Sequence, residues 1–145
     1  MIGLLQRVKA ASVRVEGEVV ARIDQGLVVL VGVCREDTAA NAARLATRLL
    51  DYRVFADNRG RMNQNLREVQ GGLVVVPQFT LAADTQSGNR ASFTAAAEPA
   101  RARPLFEALV AALGAAYPAT QTGRFGADMQ VALVNDGPVT FWLEA

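Results

Sequence analysis

The stretch that decides the fold is Leu27-Val28-Val29-Leu30-Val31-Gly32-Val33, in which no side chain is polar. A strand with one face in water alternates polar and apolar residues, whereas an unbroken apolar run indicates a strand covered on both faces. A second apolar run starts in the same way: Gly72-Leu73-Val74-Val75 matches Gly26-Leu27-Val28-Val29, the glycine before the first run and its first three residues. The sequence therefore predicts two central strands, Leu27 to Val33 and Leu73 to Leu81, within a β-β-α unit that is used twice.

The flanking segments predict the rest of an α/β domain. Residues 4–15 and 19–23 alternate on either side of Glu16-Gly17, which predicts a β-hairpin. A helix follows Asp37 or Thr38, either of which can cap it, and a second helix lies further along the chain. Their apolar positions recur at helical spacing: Ala42, Leu45, Ala46 and Leu49 in the first helix, and Leu105, Leu109 and Leu113 in the second.

Shorter elements complete this prediction. A strand is expected over Tyr52 to Ala56. Pro104 is placed in the first turns of the second helix, because proline in a helix interior costs about 3 kcal/mol. The last two strands, Met129 to Val134 and Val139 to Leu143, are predicted to form a hairpin around Gly137-Pro138.

Length and composition predict one soluble domain, residues 1–145, in the cytoplasm. The chain is 51% hydrophobic, which suits a single core. It shows neither a signal peptide nor the roughly 18 apolar residues of a membrane span. Cys34 is the only cysteine, which rules out an internal disulfide, and we expect it to be a small core residue. Trp142 is expected in the core or at an interface.

The charge balance predicts that any nucleic acid is bound locally. The net charge is only +1, so the strongly basic surface typical of nucleic-acid-binding domains is missing. Arg59, Arg61 and Arg67 form a local group of candidates for phosphate contacts. A solvated loop is the alternative interpretation of the same group.

The residue types present exclude several kinds of catalysis. The chain has no histidine, which excludes Ser-His-Asp and Cys-His machinery and any zinc site built on histidine. Neither Gly71-Gly72 nor the run from Gly123 to Gly126 matches a phosphate-binding or dinucleotide-binding loop. We therefore predict no metal and no cofactor. An enzyme of this composition should act on a labile bond or borrow a group from its substrate.

Two segments carry the candidate chemistry. In Val74-Val75-Val76-Pro77-Gln78-Phe79-Thr80-Leu81 an apolar strand ends in polar groups, and these need partners. In Asn135-Asp136-Gly137-Pro138-Val139-Thr140 a Gly-Pro pair stands between two apolar runs. An X-Pro bond can be cis at a cost of about 0.5–1 kcal/mol, and a cis bond turns successive carbonyls to one side. Such a turn could recognise a substrate, or it could simply reverse the chain.

Together these segments resemble the signatures of the D-aminoacyl-tRNA deacylase family, a Ser-Gln-Phe-Thr-Leu strand and an Asn-x-Gly-Pro-Val-Thr turn. The resemblance covers the whole chain and includes residues 1–8, 60–63, 88–93 and 122–129. Pro77 stands where the family usually has serine, so any role of that hydroxyl is absent, and Ala91 stands where proline is common.

The resemblance implies a structure and an activity. The implied fold is α/β, with two β-layers and helices packed on one side (β/β/α), in a homodimer where one subunit's Gly-Pro turn enters its partner's active site. The implied reaction hydrolyses the ester of D-aminoacyl-tRNA, and of mischarged glycyl-tRNA, at the tRNA 3′ end, as chiral proofreading in translation. Two alternatives stay open: a non-catalytic module that binds RNA ends, and an esterase or amidase of small molecules.

Seven residues are candidates for the site. The catalytic candidates are Gln78, Phe79 and Thr80, and the substrate-binding candidates are Gly137, Pro138, Phe125 and Met129. We expect the backbone amides of Phe79 and Thr80 to polarise the ester and Gln78 to bind the substrate. Thr80 could instead be a nucleophile, although its segment supplies no adjacent base. By the resemblance, Gly137-Pro138 is cis and rejects the L isomer, while Phe125 and Met129 contact the terminal adenosine or else pack in the core.

Overall fold

The architecture is a six-stranded mixed sheet with helices against it, in a computed structural model that describes residues 1–145. The strands are β1 (Ile2–Val15), β2 (Glu18–Ile23), β3 (Gly26–Gly32), β4 (Phe55–Ala56), β5 (Met62–Gln64), β6 (Gly72–Pro77), β7 (Thr120–Thr122) and β8 (Gln130–Glu144). The helices are α1 (Ala39–Asp51), α2 (Leu66–Val69) and α3 (Pro99–Ala116), and a 3-10 turn spans Phe79–Ala82. The expected α/β class is confirmed.

β1 organises the sheet because it is long enough to pair with three other strands. One of its edges pairs with β8 along almost its full length. Its other edge pairs with β3 through residues 2–8 and with β2 through residues 11–15, while β3 continues the sheet to β6 and β7. The side-chain amide of Gln121 on β7 bonds both the N–H and the carbonyl of Arg22 on β2, each at 2.7 Å. The sheet is therefore nearly closed.

The two matching tetrapeptides lie side by side in this sheet. β3 and β6 pair in parallel, with Gly26 opposite Gly72 and Val29 opposite Val75. Both central strands are buried, as their unbroken apolar composition predicts. A Cβ atom on Gly26 would lie only 1.9 Å from the carbonyl oxygen of Gly72, so the two strands can start this close together only with glycine there.

Apolar cores lie on both faces of the sheet. The larger core fills the space between the sheet and α1 and α3, and the predicted apolar positions of α1 are all buried in it. Its largest sheet and helix members include Leu5, Leu27, Leu73, Leu45, Leu109 and Leu113. The second core contains Val8, Val13, Ile23, Val28, Val74 and Val76. None of the helices is both long and apolar enough to cross a bilayer.

The predicted C-terminal hairpin is wrong. Residues 130–144 form the single strand β8, which runs antiparallel to β1 on both sides of Gly137-Pro138. The physical reason is the length of β1, which offers backbone partners to both halves of β8. Gln6 pairs with Thr140 and Val8 pairs with Asn135, so four residues of β8 stand opposite Arg7 alone. The Gly-Pro pair is thus the tip of a wide bulge.

Other predictions need smaller corrections. β6 ends at Pro77 rather than at Leu81, because proline has no N–H with which to continue a ladder. Of the strand predicted over Tyr52 to Ala56, only Phe55–Ala56 belongs to a strand, β4. Cys34 is only half-buried, and Trp142 is 48% exposed and therefore not a core residue. Pro104 lies in the second turn of α3, whose first residue is Pro99.

Candidate active site

Gln78, Phe79 and Thr80 lie where the central strand β6 ends. Pro77 is the last residue of β6 paired with β3, opposite Val31, and the N–H of Gln78 donates to the Val31 carbonyl at 2.7 Å. The chain then tightens into the 3-10 turn, in which the Leu81 N–H donates to the Gln78 carbonyl at 3.3 Å. The end of a buried strand therefore fixes the position of all three residues.

The 3-10 turn divides its side chains between the core and the solvent. Ala82 is buried, and Leu81 lies directly on the end of β3 beside Gly32. Phe79 and Thr80 face outward and are exposed. The first N–H groups of a helical turn have no acceptor within the turn. The amides of Phe79 and Thr80 therefore have no acceptor within the turn.

The hydroxyl of Thr80 is held by its neighbour rather than by a base. Gln78 Nε2 donates to Thr80 Oγ1 at 2.6 Å. An amide nitrogen cannot remove a proton, so this contact orients the hydroxyl without activating it. Cys34 lies beneath the turn, in the small apolar cluster with Leu81 and Ala82. Burial, and then the Asp37 carboxylate, raise the pKa of the Cys34 thiol, which disfavours the nucleophilic thiolate.

The long loop after the turn folds back on the same region. Asp84 and Ser92 exchange backbone hydrogen bonds of 2.8 and 2.9 Å, which closes the loop at its base. Phe93 then packs on Phe79, with ring centroids 5.1 Å apart and an interplanar angle of 50°. The loop is therefore in contact with the Gln78–Thr80 segment through the rings of Phe93 and Phe79.

Met129 lies close to the Gln78–Thr80 segment, whereas Phe125 packs against α3. A Cβ on Gly123 would lie 2.7 Å from the sulfur of Met129 and 3.6 Å from Pro77 Cδ, so Met129 and the end of β6 meet across Gly123. The ring of Phe125 packs on Phe106, at 6.0 Å between centroids, and under the guanidinium of Arg103 at 4.9 Å. It also lines an open cavity of about 490 Å³ with Val15, Glu16, Arg124, Gly126, Ala127 and Asp128.

The Gly137-Pro138 bulge is held by the side chains of Arg7 and Asn135. Its peptide bond is cis, as the family resemblance implies. Arg7, on the opposite strand, donates through Nε to the Asp136 carbonyl at 3.0 Å and through Nη1 to the Val54 carbonyl at 2.5 Å. Asn135 Oδ1 accepts the N–H of Val139 at 3.0 Å, and its amide nitrogen donates to Thr140. The bulge therefore has a defined shape.

One chain does not bring the bulge and the Gln78–Thr80 segment together. β8 and β6 are separated by β1 and β3. Adjacent strands are about 4.8 Å apart and residues rise about 3.3 Å along a strand. By the pairing register, Gly137 lies opposite Arg7, at the level of Leu73 and about four residues below Pro77. The two groups are therefore roughly 20 Å apart within the chain.

The three candidate phosphate-binding arginines differ in their surroundings. Arg67 donates to the Ala116 carbonyl and lies 3.8 Å from the Asp51 carboxylate. Arg59 and Arg61 are exposed on a turn whose backbone amides donate to Asp57. The Arg61 amide, the Asn63 side chain and the Arg59 amide lower the pKa of the Asp57 carboxyl.

The sequence gives no signal for the anchoring role of Arg7. Its contacts depend on the register between β1 and β8, which are 129 residues apart at the contact with Asp136. In the sequence, an arginine in an alternating strand looks like any solvent-facing residue. The anchoring role of Arg7 becomes visible only when the bulge is seen opposite it.

A family model and two similar proteins indicate one family. Residues 4–144 match the family model described as D-Tyr-tRNA(Tyr) deacylase. A protein of Ectopseudomonas mendocina is 61% identical over 97% of both chains, and one of Pseudomonas aeruginosa is 60% identical over the full length of both. Each is named D-aminoacyl-tRNA deacylase.

Two solved structures are also similar over almost the full chain. One, named c-Myc DNA Unwinding Element Binding Protein, has a TM-score of 0.95 at 35% identity and covers 100% of this chain and 99% of its own. The other, a probable eukaryotic D-amino acid tRNA deacylase, has a TM-score of 0.86 at 16% identity over 99% and 98% of the two chains, and shares the fold.

Proposed function

Since the chain belongs to the D-Tyr-tRNA(Tyr) deacylase family, we propose that it hydrolyses the ester of D-aminoacyl-tRNA to a free D-amino acid and tRNA. Membership makes it a hydrolase of carboxylic ester bonds. The reaction would remove D-amino acids from tRNA before translation uses them, as chiral proofreading in the cytoplasm, within one domain of residues 1–145. Mischarged glycyl-tRNA would be a second substrate, because glycine has no side chain to reject.

The observation that carries this proposal is the 3-10 turn at the end of β6. The amides of Phe79 and Thr80, which have no acceptor within the turn, can donate to the ester oxygen as negative charge develops on it. Gln78 is half-buried beside them and can bind the substrate's end. A rigid pair of donors suits an acyl ester whose carbonyl is already activated.

The proton transfers in this proposal belong to the substrate. The structure gives the Thr80 hydroxyl one hydrogen-bond partner, the Gln78 amide, and no titratable group bonds it. An aminoacyl ester on the terminal ribose has a hydroxyl on the adjacent carbon, which can orient the attacking water or share its proton. The protein then contributes position and oxyanion stabilisation.

Chiral selection is assigned to the Gly137-Pro138 bulge. Arg7 and Asn135 hold it from below, so its carbonyls can face the substrate's α-carbon and ammonium group on one fixed side. An L side chain would have to enter the filled side, whereas a D side chain points to the opening. Discrimination by such a clash can exceed the ~1–3 kcal/mol that a pocket gains from one methylene.

The bulge can contact a substrate bound at Gln78–Thr80 only if the bulge belongs to a second subunit. The roughly 20 Å gap within one chain supports a homodimer in which each Gly137-Pro138 enters the partner's site. The sheet face away from α1 and α3 offers a contact surface, because Leu30, Leu4 and Trp142 line up across β3, β1 and β8. Trp142 is 48% exposed there. In this arrangement the curved sheet would act as two β-layers with helices on one side.

A shared site predicts that activity depends on protein concentration. Diluting the protein below its dimer dissociation constant should reduce the specific activity in proportion to the dimer fraction, because a monomer lacks the bulge beside Gln78–Thr80. Activity and sedimentation would be measured over the same dilution series. A demonstrated monomer with full specific activity would contradict the dimer while leaving the hydrolysis proposal standing.

The hydrolysis proposal is tested by comparing D-Tyr-tRNA with L-Tyr-tRNA. We expect the protein to release D-tyrosine with a kcat/KM at least about 100-fold above that for L-tyrosine, since 100-fold corresponds to about 2.7 kcal/mol. Comparable rates for both isomers would refute chiral selection. No release of either amino acid would refute hydrolysis.

Two alternatives predict different results in this assay. The similar structure named as a DNA unwinding element binding protein makes nucleic-acid binding without hydrolysis the first alternative. It predicts that charged tRNA is bound and recovered intact. An esterase or amidase of small molecules is the second, and it predicts hydrolysis of free D-tyrosine esters as fast as that of the tRNA ester.

A further inference from the structure

Two aromatic side chains remain open to solvent beside the active segment. Phe79 is 60% exposed and Phe93 is 45% exposed, although they touch each other. Large apolar side chains grouped on a surface indicate a binding site more often than isolated ones do. The mechanism above uses the backbone of Phe79 and leaves both rings unexplained.

The backbone on each side of the two rings is held by hydrogen bonds. Phe79 begins the 3-10 turn that follows the last pairing of β6. Phe93 follows the reciprocal bonds between Asp84 and Ser92, and its carbonyl accepts the N–H of Ala96 at 3.1 Å. An exposed ring on a backbone that is held in this way can stack on a flat ligand with little ordering of the protein backbone.

The position of the pair indicates which ligand it meets. In the proposed function the ester lies at Thr80, and the terminal ribose carries it. The nucleotides that precede this ribose leave the site past neighbouring side chains, and Phe79 is next to Thr80 in the chain. Unpaired bases stack on exposed aromatic rings, largely without regard to sequence. Arg90, exposed in the loop that carries Phe93, adds a positive charge to that loop.

We propose that Phe79 and Phe93 form a stacking platform for an unpaired base just before the terminal adenosine of the tRNA. This proposal rests on the proposed function and adds a contact to it. The platform makes affinity depend on the 3′ single strand as well as on the aminoacyl group. It also gives the closed loop between Asp84 and Ser92 a purpose, which is to present Phe93.

The test compares variants of Phe93 on two substrates. Phe93→Leu keeps an apolar side chain without a stacking face, and Phe93→Tyr keeps the face. With D-Tyr-tRNA, Phe93→Leu should raise KM roughly 5- to 150-fold with little change in kcat, the range typical of one stacked base. With D-tyrosyl adenosine, which has no preceding nucleotide, KM should not change. Phe93→Tyr, and Val19→Thr at a 40% exposed site on β2, should behave as wild type.

A binding measurement separates this proposal from the hydrolysis proposal. The dissociation constant of a fluorescent RNA oligonucleotide ending in CCA should rise by the same factor in Phe93→Leu, and this readout needs no hydrolysis. Equal effects on both substrates would show that Phe93 only supports the turn, and would overturn the platform. A weaker dimer with unchanged oligonucleotide affinity would assign the rings to a second copy instead, and would overturn it too.

Discussion

D-Tyr-tRNA that lacks the 2′-hydroxyl of its terminal ribose should bind with near-normal affinity and be hydrolysed roughly 10²- to 10⁴-fold more slowly, the usual contribution of a positioned proton-transfer group. The reason is that the Thr80 hydroxyl contacts an amide and no base, so the substrate's own hydroxyl has to assist the water. Single-turnover release of labelled D-tyrosine, with affinity measured separately, checks both parts of the expectation.

Variants of Thr80 provide the complementary measurement. Thr80→Ala should reduce kcat by about tenfold or less, because it removes one neutral hydrogen bond of about 1 kcal/mol that orients the turn. Thr47→Ala, which removes an exposed hydroxyl bonded to a backbone carbonyl on α1, is the matched control and should not affect kcat. A covalent acyl group trapped on Thr80, or full turnover of the 2′-deoxy substrate, would contradict substrate assistance.

Gly137→Ala should reduce kcat/KM for D-Tyr-tRNA by about 100-fold, the effect of misplacing a contact by about 1 Å. Gly137 has a φ of +134°, which L side chains rarely adopt. A Cβ there would lie 2.7 Å from Val139 Cγ2, 3.0 Å from the Val139 nitrogen and 3.2 Å from Arg7 Nη2. The bulge must move to relieve these contacts, so its carbonyls would leave the substrate and rejection of L-Tyr-tRNA should weaken as well.

Gly17→Ala is the matched control for this variant. Gly17 also has a positive φ, of +84°, but a Cβ there would meet nothing within 4 Å. It should lose some stability through the strained backbone and keep wild-type kcat/KM. Circular dichroism and thermal unfolding establish that both variants fold. If Gly137→Ala were as active and as selective as Gly17→Ala, the bulge would have no part in the site.

The sequence predicted the elements whose signals are local. The unbroken apolar runs identified β3 and β6, and Glu16-Gly17 identified the turn between β1 and β2, where both residues have positive φ. The middle of β8 is mistaken for a hairpin turn because a Gly-Pro pair between apolar runs is typical of one. Its true conformation depends on β1, whose residues Gln6 and Val8 pair on either side of the bulge with Thr140 and Asn135, more than 120 residues away in the chain.

The site was predictable to the same extent. Gln78 and Thr80 could be identified as a polar ending on an apolar strand, and the hydrogen bond between them agrees with a positioning role. The distance between this segment and Gly137-Pro138 could not be derived, since it follows from the order of the strands in the sheet. The sequence also could not show that Phe125 packs against α3 while Met129 lies beside the end of β6. These contacts join elements that are distant in the chain.

The close start of the two central strands limits how this enzyme can change. A Cβ on Gly26 would meet the Gly72 carbonyl, and a Cβ on Gly72 would lie 2.5 Å from Ile23 Cγ2 on β2, so neither position can accept a side chain unless β6 moves relative to its neighbours. A slip of one residue would move Gln78 by about 3.3 Å and turn every side chain of β6 to the opposite face. Substitutions at the start of β3 and β6 are therefore limited by the need to keep Gln78, which follows the other end of β6, in its position. A successful replacement at either glycine would need a compensating deletion or insertion before Gln78.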